Sequence, residues 1–282
     1  TMAGSSYAVD ISKVSSGRQA CLQDSVAVEE PLEIRIAYST PDGRATRSVS
    51  VTMRTPGRDA ELATGFLFTE SIIHSAADIA SVEPCGAPAP DSGNHNVIRV
   101  ELGADVDVDL GRLQRHFYTT SSCGVCGKTS LDALHAIGAE VQSDNRTSFA
   151  TTTLITIPDK LRSAQATFDK TGGLHAAAAF DADGDLVAVM EDVGRHNAVD
   201  KVIGSLLLQD RLPASELGLM VSGRASFELL QKTLMGGIPL LAAISAPSSL
   251  AVQLANEFDI TLVGFLRGSD FNIYAGEQRI TA

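Results

Sequence analysis

Over the first hundred residues, hydrophobic and polar positions alternate in short runs, which is the pattern of half-buried strands. Apolar and charged residues alternate from 32 to 38 and again from 48 to 53, with the turn formers Pro41-Asp42-Gly43 between them. This arrangement predicts a β-hairpin. The pattern that follows predicts a helix over 59–69 and, after a loop, a strand over 97–102.

In the second half of the chain, the sequence pattern predicts helices as well as strands. Two alternating runs around Asp181-Ala182-Asp183-Gly184 predict a hairpin, and helices are predicted over 158–171 and 197–208. Apolar strands and helices then alternate over 217–222, 226–235, 240–245, 248–257 and 260–266. Such a βαβαβ run with nearly continuous apolar strands indicates a parallel sheet covered on both faces.

We therefore predict an α/β fold in two domains. Residues 1–115 form a smaller, β-rich mixed α+β domain, and residues 116–282 form an α/β domain that carries the chemistry-bearing segments. The chain of 282 residues is long enough for two domains, and its 44% hydrophobic and 20% charged residues are typical of a globular protein with a sizeable core.

Charge and cysteine content narrow the function. A formal net charge of −12, with no basic stripe, argues against nucleic acid as a partner. The sequence shows neither a secretory leader nor an apolar run of membrane-spanning length, so we expect no membrane association and a cytoplasmic location. The cysteines are too few for a disulfide framework, which indicates a reducing compartment; they are Cys21, Cys85, Cys123 and Cys126.

Two of these cysteines stand together in Ser121-Ser122-Cys123-Gly124-Val125-Cys126-Gly127-Lys128. Helical spacing of apolar residues begins just after, at Leu131, Leu134 and Ile137, so the pair lies near a predicted helix start. Unpaired N–H groups and the positive end of the helix dipole favour a thiolate there. The adjacent glycines leave room for a partner to approach the sulfur atoms, and the segment is therefore a candidate site of sulfur chemistry.

Three kinds of sulfur site remain open from these residues alone. A zinc site needs two further ligands; no second pair with ligand spacing is present, although Cys85 and a histidine could complete such a site in space. A thioredoxin-like redox pair is typically found in a βαβ setting, whereas the preceding half is mostly hairpin and loop. The third interpretation is a nucleophilic thiolate that carries sulfur as a persulfide, assisted by the second cysteine.

Three strands of the βαβαβ run end in small or cationic residues. The segments are Ser222-Gly223-Arg224, Ser245-Ala246-Pro247-Ser248 and Leu266-Arg267-Gly268. In an open α/β sheet such ends share one edge, where ligands bind. Helix N-termini together with arginines suit phosphate groups, so Arg224, Ser248 and Arg267 are candidate phosphate contacts. The alternative is a set of tight turns with capping serines.

Between a predicted strand and a predicted helix lies the densest polar cluster of the chain, Glu191-Asp192-Val193-Gly194-Arg195-His196-Asn197. Asp192, Arg195 and His196 are candidate site residues because loop positions of this kind often carry function. A capped helix start, with Asp192 as the cap and Arg195 in solvent, is the alternative. His175 is a weaker candidate, because a single histidine on a strand is more often a hydrogen-bonded structural residue.

Taken together, these segments resemble the signature blocks of the FdhD family, the formate dehydrogenase accessory sulfurtransferases. The similar blocks span roughly residues 25–275 and are Glu30-Pro31-Leu32, Gly65-Phe66-Leu67-Phe68-Thr69-Glu70, the cysteine segment at 123–128, Thr171-Gly172-Gly173-Leu174-His175, the 191–197 cluster, Ser222-Gly223-Arg224-Ala225-Ser226, Ser245-Ala246-Pro247-Ser248-Ser249 and Phe265-Leu266-Arg267-Gly268. So many blocks in order make a chance match very improbable.

The resemblance implies a function. Members take sulfur from a cysteine desulfurase and deliver it to the molybdenum or tungsten of a bis-molybdopterin guanine dinucleotide cofactor, which activates formate dehydrogenase. By position, Cys123 corresponds to the cysteine that carries the persulfide, and Cys126 to its partner. The alternative from another functional class is a non-catalytic chaperone that binds the guanine dinucleotide cofactor and hands it over unchanged, and a third alternative is a zinc-binding hydrolase.

The resemblance also implies a binding segment, a fold and an assembly. The cofactor-binding segment corresponds to Phe265, Leu266, Arg267, Gly268, Ser269 and Asp270, and GDP is expected to mimic the cofactor. The second half is expected to have a cytidine deaminase-like three-layer αβα fold, and members are homodimers. The deaminase zinc motif is not present in the sequence. Asp270 is a departure, since a basic residue is common near this position and an acid weakens phosphate contacts; Ser71, where glycine is frequent, affects only a turn.

Overall fold

The computed structural model describes residues 4–108, Leu134 and residues 147–282 and shows a mixed α/β protein. In these ranges the strands are β1 Ser6–Ser15, β2 Arg18–Ala27, β3 Glu30–Thr40, β4 Gly43–Arg54, β5 Ile79–Cys85, β6 Val97–Leu102, β7 Phe149–Ala150, β8 His175–Phe180, β9 Leu186–Asp192, β10 Gly218–Val221, β11 Leu240–Ala243, β12 Thr261–Arg267, β13 Asp270–Ala275 and β14 Ile280–Thr281. The α-helices are α1 Asp59–Thr69, α2 Thr151–Leu154, α3 Ile157–Ala164, α4 Ala166–Thr171, α5 Arg195–Leu208, α6 Phe227–Met235 and α7 Ser249–Glu257, with 3₁₀ turns at Ala76–Asp78 and Glu277–Arg279. No helix within the described ranges has the length and apolar character needed to cross a membrane.

A six-stranded sheet in the order β13-β12-β11-β10-β8-β9 organises the second half. Strands β10, β11 and β12 are parallel, as the βαβαβ pattern predicts, while β8 and β13 run antiparallel to their neighbours. This arrangement places the ends of β9, β10, β11 and β12 and the start of β8 along one edge. The predicted parallel strands are therefore confirmed.

Helices cover this sheet on both faces. Apolar residues of α5, α6 and α7 pack on one face, and α2 and α3 pack on the other. Strand β8 shows the alternation directly, because Ala177 and Ala179 face the first layer while Ala176 and Ala178 face the second. The ring of Phe149 meets that of Phe180 edge-on in the second layer, with centroids 5.6 Å apart. Three layers result, as the sequence predicts.

A four-stranded sheet, ordered β4-β3-β6-β5, forms the first half of the structure. Its inward residues, among them Leu32, Ile34 and Val100, pack with α1 into the same hydrophobic cluster as α5. Helix α1 thus lies between this sheet and the six-stranded one. The boundary proposed at residue 115 falls outside the described residues and stays a prediction.

Several strands are not predicted by the sequence patterns. The β1–β2 hairpin occupies residues assigned no element, because its strands are almost wholly exposed and their alternation is interrupted by polar residues. Strand β5 and the edge strand β13 also carry mixed exposed sequences. An alternation of apolar and polar residues predicts a strand only where one face of the strand is buried, and these strands have little buried surface.

The helix predicted over 158–171 is interrupted. It is divided into α3 and α4 at Gln165, whose ψ of 71° is not helical. Gln165 is buried at this break. The change of direction there allows α4 to pack against the β1–β2 hairpin. The apolar spacing of the sequence is similar on both sides of the break and does not reveal it.

Candidate functional site

Backbone hydrogen bonds join the loops at the end of the six-stranded sheet into one continuous rim. Ser222 donates its N–H to the Ala176 carbonyl at 2.9 Å, Ser245 to Gly223 at 3.4 Å and Phe265 to Ser245 at 3.2 Å. We call residues 175–176, 222–226, 245–248 and 265–270 the strand-end rim. The prediction that the three polar strand ends share one edge is confirmed.

The candidate phosphate contacts on this rim are accessible. Arg224, Ser248 and Arg267 are all exposed. The Ser248 hydroxyl also accepts a hydrogen bond from the Ala251 N–H at 3.2 Å and so caps α7. Helices α6 and α7 both begin at the rim, and their free N–H groups add positive potential there. The structure brings two cations and two helix N-termini to one edge.

The 265–270 segment leaves regular strand geometry. Phe265 has a φ of 54°, which is unusual for a non-glycine residue, within a break of register between Gly264 and Arg267. The Arg267 guanidinium lies 5.7 Å from the centroid of the Phe265 ring. Leu266 is buried, whereas Gly268, Ser269 and Asp270 form the exposed turn into β13. Backbone strain of this kind is often retained at functional sites.

Packing explains part of this distortion. A Cβ on Gly264 would lie 2.9 Å from the Tyr274 ring and 3.0 Å from Pro247. Only glycine allows the β12 backbone to come this close to the loop after β11, which carries Pro247. The distortion at Phe265 begins at this crowded point.

Asp192, a candidate site residue, is fully buried. Its carboxylate lies 2.7 Å from the Lys201 ammonium and accepts hydrogen bonds from the N–H of Gly194 at 2.8 Å, the side-chain amide of Asn197 at 2.9 Å and the N–H of Thr55 at 3.2 Å. Both oxygen atoms therefore have partners within the protein. Asp192 is therefore not the helix cap considered as the alternative, because Gly194 occupies the N-cap position of α5 and no side chain caps the helix.

Lys201 and Asn197 also connect α5 to the end of β4 in the four-stranded sheet. Lys201 donates to the Thr55 carbonyl at 3.0 Å, and Asn197 donates to the Met53 carbonyl at 2.8 Å. The end of β4 is thereby held to the start of α5. Lys201 is missing from the sequence-based site, although Asp200-Lys201 within an otherwise apolar helix is a signal of a buried ion pair.

Arg195 and His196 begin α5 on the rim side and are partly exposed. The Nε2 atom of His196 lies 3.9 Å from a carboxylate oxygen of Glu228 on α6. Burial, together with the positive charges of Lys232 and Arg195, lowers the pKa of His196 to about 4. The ring is therefore neutral at physiological pH.

His175 lies near Arg195 and His196. It opens β8 directly opposite Asp192, and burial followed by the charge of Arg195 lowers its pKa. Glu228 is a residue that sequence reasoning missed. Its signal is its position in the first turn of α6, two residues after Ser226.

One turn further along both helices, Asp200 on α5 meets Lys232 on α6 at 2.8 Å. Lys232 also contacts the Thr69 hydroxyl at 2.9 Å and Glu70 at 3.5 Å at the end of α1. Burial alone lowers the pKa of Lys232, but Asp200 and Glu70 outweigh it and raise the pKa, so the ammonium stays protonated. This buried pair fixes α5 relative to α6 and α1 beneath the rim.

With this geometry established, comparison with known proteins places the chain in a family. The family model described as the FdhD/NarQ family matches residues 27–281. The chain belongs to the FdhD/NarQ family. This confirms the resemblance inferred from the sequence blocks.

Similar proteins within this family cover the chain almost completely. The "Sulfur carrier protein FdhD" of Mycolicibacterium paratuberculosis is 51% identical over 96% of this chain and 97% of its own, and that of Mycobacterium tuberculosis is 52% identical over 92% of each. The protein of the same name from Sulfolobus acidocaldarius is 42% identical over 96% of this chain and 97% of its own. A crystal structure of a candidate formate dehydrogenase accessory protein from Desulfotalea psychrophila shares the fold, with a TM-score of 0.74, 24% identity, and coverage of 98% of this chain and all of the other.

The cysteine pair of this FdhD/NarQ chain, Cys123 and Cys126, lies outside the described residues, so its placement stays a prediction. Leu134, an inward position of the helix predicted after the pair, is helical and buried in the shared core. Cys21 is exposed and Cys85 half-buried, and neither forms a disulfide. Among the described residues no group of three or more His, Cys, Asp or Glu side chains is arranged to hold a metal ion.

Proposed function

We propose that this protein is a sulfur carrier that serves formate dehydrogenase. Cys123 takes sulfur from a cysteine desulfurase as a persulfide and delivers it to the molybdenum or tungsten of bis-molybdopterin guanine dinucleotide, which binds as the substrate. The relatives named sulfur carrier protein support the class of reaction, being up to 52% identical over more than nine tenths of the chain. The observation that carries the substrate proposal is the strand-end rim.

The sulfur-loading step follows from thiolate chemistry. The Cys123 thiolate attacks the outer sulfur of the donor persulfide, a new S–S bond forms at Cys123, and the donor cysteine leaves as a thiolate. No net oxidation or reduction is required, because one S–S bond replaces another. Cys126 acts as the relay or resolving thiol.

The rim suits the anionic part of the substrate. A dinucleotide cofactor carries pyrophosphate, and the rim presents Arg224, Arg267, the Ser248 cap and the N-termini of two helices. In a protein with a net charge of −12, these local cations are what attracts an anion. Arg195 and His196 extend the rim toward α5, while Asp192 acts indirectly by holding the start of that helix.

We propose a cytidine deaminase-like arrangement for the second half, supported by three layers around the six-stranded sheet. A homodimer, a cytoplasmic location, and the absence of nucleic-acid and membrane partners complete the proposal, as the family resemblance and charge imply. The protein needs no resident metal for this reaction.

Sulfur loading tests the carrier role. The purified protein is incubated with cysteine and a cysteine desulfurase, and each cysteine peptide is weighed by mass spectrometry before and after reduction. We expect one extra sulfur atom on the 123–126 peptide, removed by reductant and lost in Cys123→Ala. Cys21→Ala is the matched control, since Cys21 is an exposed free thiol outside the proposed site.

If neither Cys123 nor Cys126 takes up sulfur, and Cys123→Ala still activates formate dehydrogenase, the carrier proposal is wrong. A protein of that kind that still binds GDP is the non-catalytic cofactor chaperone instead.

A further inference from the structure

The β1–β2 hairpin has one apolar face and one polar face. The two strands pair without interruption from Ser6–Ala27 to Ser15–Arg18, so their side chains alternate strictly between the faces. We call one of them the apolar face; it carries Tyr7, Val9, Ile11, Lys13 and Ser15 from β1 and Arg18, Ala20, Leu22, Asp24 and Val26 from β2. The opposite face is mostly polar, and its Gln19 amide donates to the Ser12 hydroxyl at 2.6 Å.

The apolar face is left uncovered by the described part of the chain. Three of the eight exposed large hydrophobic side chains in these ranges lie on it: Tyr7, Leu22 and Val26. None of its apolar residues belongs to either hydrophobic cluster of the described residues. Near the base of the hairpin, Ala27 of the opposite face lies 3.6 Å from where a Cβ on Gly173 would stand. The polar face thus makes this contact with the chain, and the apolar face does not.

An uncovered hairpin of this kind needs a partner. A two-stranded hairpin by itself is at best marginally stable in water and gains stability when its apolar face is packed. A contiguous exposed apolar patch on a globular protein marks an interaction surface. The apolar face of β1 and β2 meets both conditions, and the charges on that face indicate what covers it.

Two charged residues interrupt the apolar face, Lys13 and Asp24. Both are exposed, and neither forms an ion pair with another described residue. They lie on either side of the central Ile11–Leu22 pair, Lys13 toward the turn and Asp24 toward the base. Within one hairpin they are four positions apart along the strands, about 13 Å, which is too far for an ion pair.

A second copy of the same face supplies the missing partners. If two apolar faces stack about a two-fold axis that crosses the strands at the Ile11–Leu22 pair, the turn half of each hairpin meets the base half of the other. Lys13 would then stand at the level of the partner's Asp24, and Arg18 at the level of the partner's Tyr7 ring. The first contact is an ion pair and the second a cation–π contact, and each occurs twice.

We propose that the apolar face of the β1–β2 hairpin is a dimer interface, formed with the same face of a second copy in antiparallel orientation. The inference names the surface of the proposed homodimer and rests on that part of the proposed function, but it does not depend on sulfur transfer. Ile11 and Leu22 of both copies close the centre of a small two-layer β-sandwich. Because the face is small for a protein interface, we expect the dimer to dissociate at micromolar concentrations.

Sedimentation equilibrium of the full chain measures the dissociation constant of this dimer. We expect wild type to dimerise and Leu22→Asp to raise the constant at least about tenfold, because the substitution removes apolar burial at the axis and adds two carboxylates there. The matched control is Val14→Asp. It adds the same charge to the opposite face of the same hairpin, where Val14 is 68% exposed, and should leave the constant unchanged.

Exchange of the two charges tests the orientation. Lys13→Asp and Asp24→Lys each place like charges opposite each other and should weaken the dimer several-fold at low salt. The double variant restores opposite charges and should return the dissociation constant close to that of wild type. This recovery requires two copies, because Lys13 and Asp24 are too far apart to pair within one hairpin.

Three results would overturn the inference. A wild type that remains monomeric also contradicts the proposed homodimer, while the sulfur-carrier role stands on its own test. A dimer that Leu22→Asp does not weaken uses another surface. If Leu22→Asp leaves the oligomeric state unchanged but abolishes binding of the cysteine desulfurase or of formate dehydrogenase, the apolar face belongs to that protein instead.

Discussion

Gly65 of α1 and Gly204 of α5 lie directly against each other where the two helices cross. A Cβ on Gly65 would overlap the carbonyl oxygen of Asp200, and a Cβ on Gly204 would overlap that of Glu61. Each of these built atoms would also lie 2.8 Å from the backbone nitrogen of the opposite glycine. Backbone thus meets backbone at the crossing, and the helix that presents Arg195 and His196 is fixed against α1.

This contact predicts that Gly65→Ala and Gly204→Ala each strongly destabilise the fold. Neither carbonyl can move without shifting its helix, so we expect a loss of about 1–3 kcal/mol or more in the free energy of unfolding, measured with urea. Gly103→Ala is the matched control, because the nearest side-chain atom there lies 3.5 Å away. Equal stabilities of Gly65→Ala and Gly103→Ala would show that the helices do not cross as described.

The buried pair of Asp192 and Lys201 predicts a second large effect. Lys201→Met leaves the carboxylate in the interior without its cation, which is expected to cost about 3–5 kcal/mol of unfolding free energy. Arg211→Met removes the cation of an exposed pair with Glu216 and should change stability by less than about 1 kcal/mol. Similar losses in the two variants would argue against a buried ion pair.

Arg267 is predicted to contribute to anion binding. Arg267→Ala removes an exposed guanidinium from the rim, and we expect the dissociation constant for GDP to rise about tenfold, with little change in thermal stability. Because the contact is electrostatic, the loss should shrink as salt is raised from 50 to 500 mM. Wild-type affinity in the alanine variant would remove Arg267 from the site. Arg211→Ala, in the loop after α5, serves as the control.

His196 predicts a dependence of stability on pH. Its pKa is about 4 in the folded protein, against about 6.5 in an unfolded chain, so the unfolded state binds the proton more readily. The contribution of His196 to stability is therefore complete above pH 6.5 and is lost as the pH falls from there toward 4. Urea unfolding at several pH values should show a shallower loss for His196→Gln over this window. Identical slopes for the two proteins would show that the ring is not held neutral.

Residues buried in a regular alternation could be predicted from the sequence. The hairpin of β3 and β4 and the run from β10 to β12 were correctly predicted, because each strand buries one or both faces and its apolar spacing records this. The sequence of the exposed β1–β2 hairpin has no such apolar spacing. For the same reason, the edge strand β13 was missed.

Part of the candidate site could be predicted from the sequence, and part could not. The polar segments at 222–224, 245–248 and 265–268 were found because strand ends in a parallel sheet must share an edge. Which side chains meet there depends on contacts between residues far apart in the chain. Asp192, for example, accepts a hydrogen bond from the N–H of Thr55, 137 residues away, and Glu228 lies near His196 but belongs to another helix.

The sequence by itself determined the family, the order of most buried elements and the segments rich in polar residues, since these depend on local composition and periodicity. Only the tertiary structure decided that Asp192 is buried with Lys201, that Glu228 stands beside His196, and that Gly65 rests on Gly204. The physical reason is that periodicity specifies which face of an element is buried. The partner on that face is chosen by the packing of elements distant in sequence.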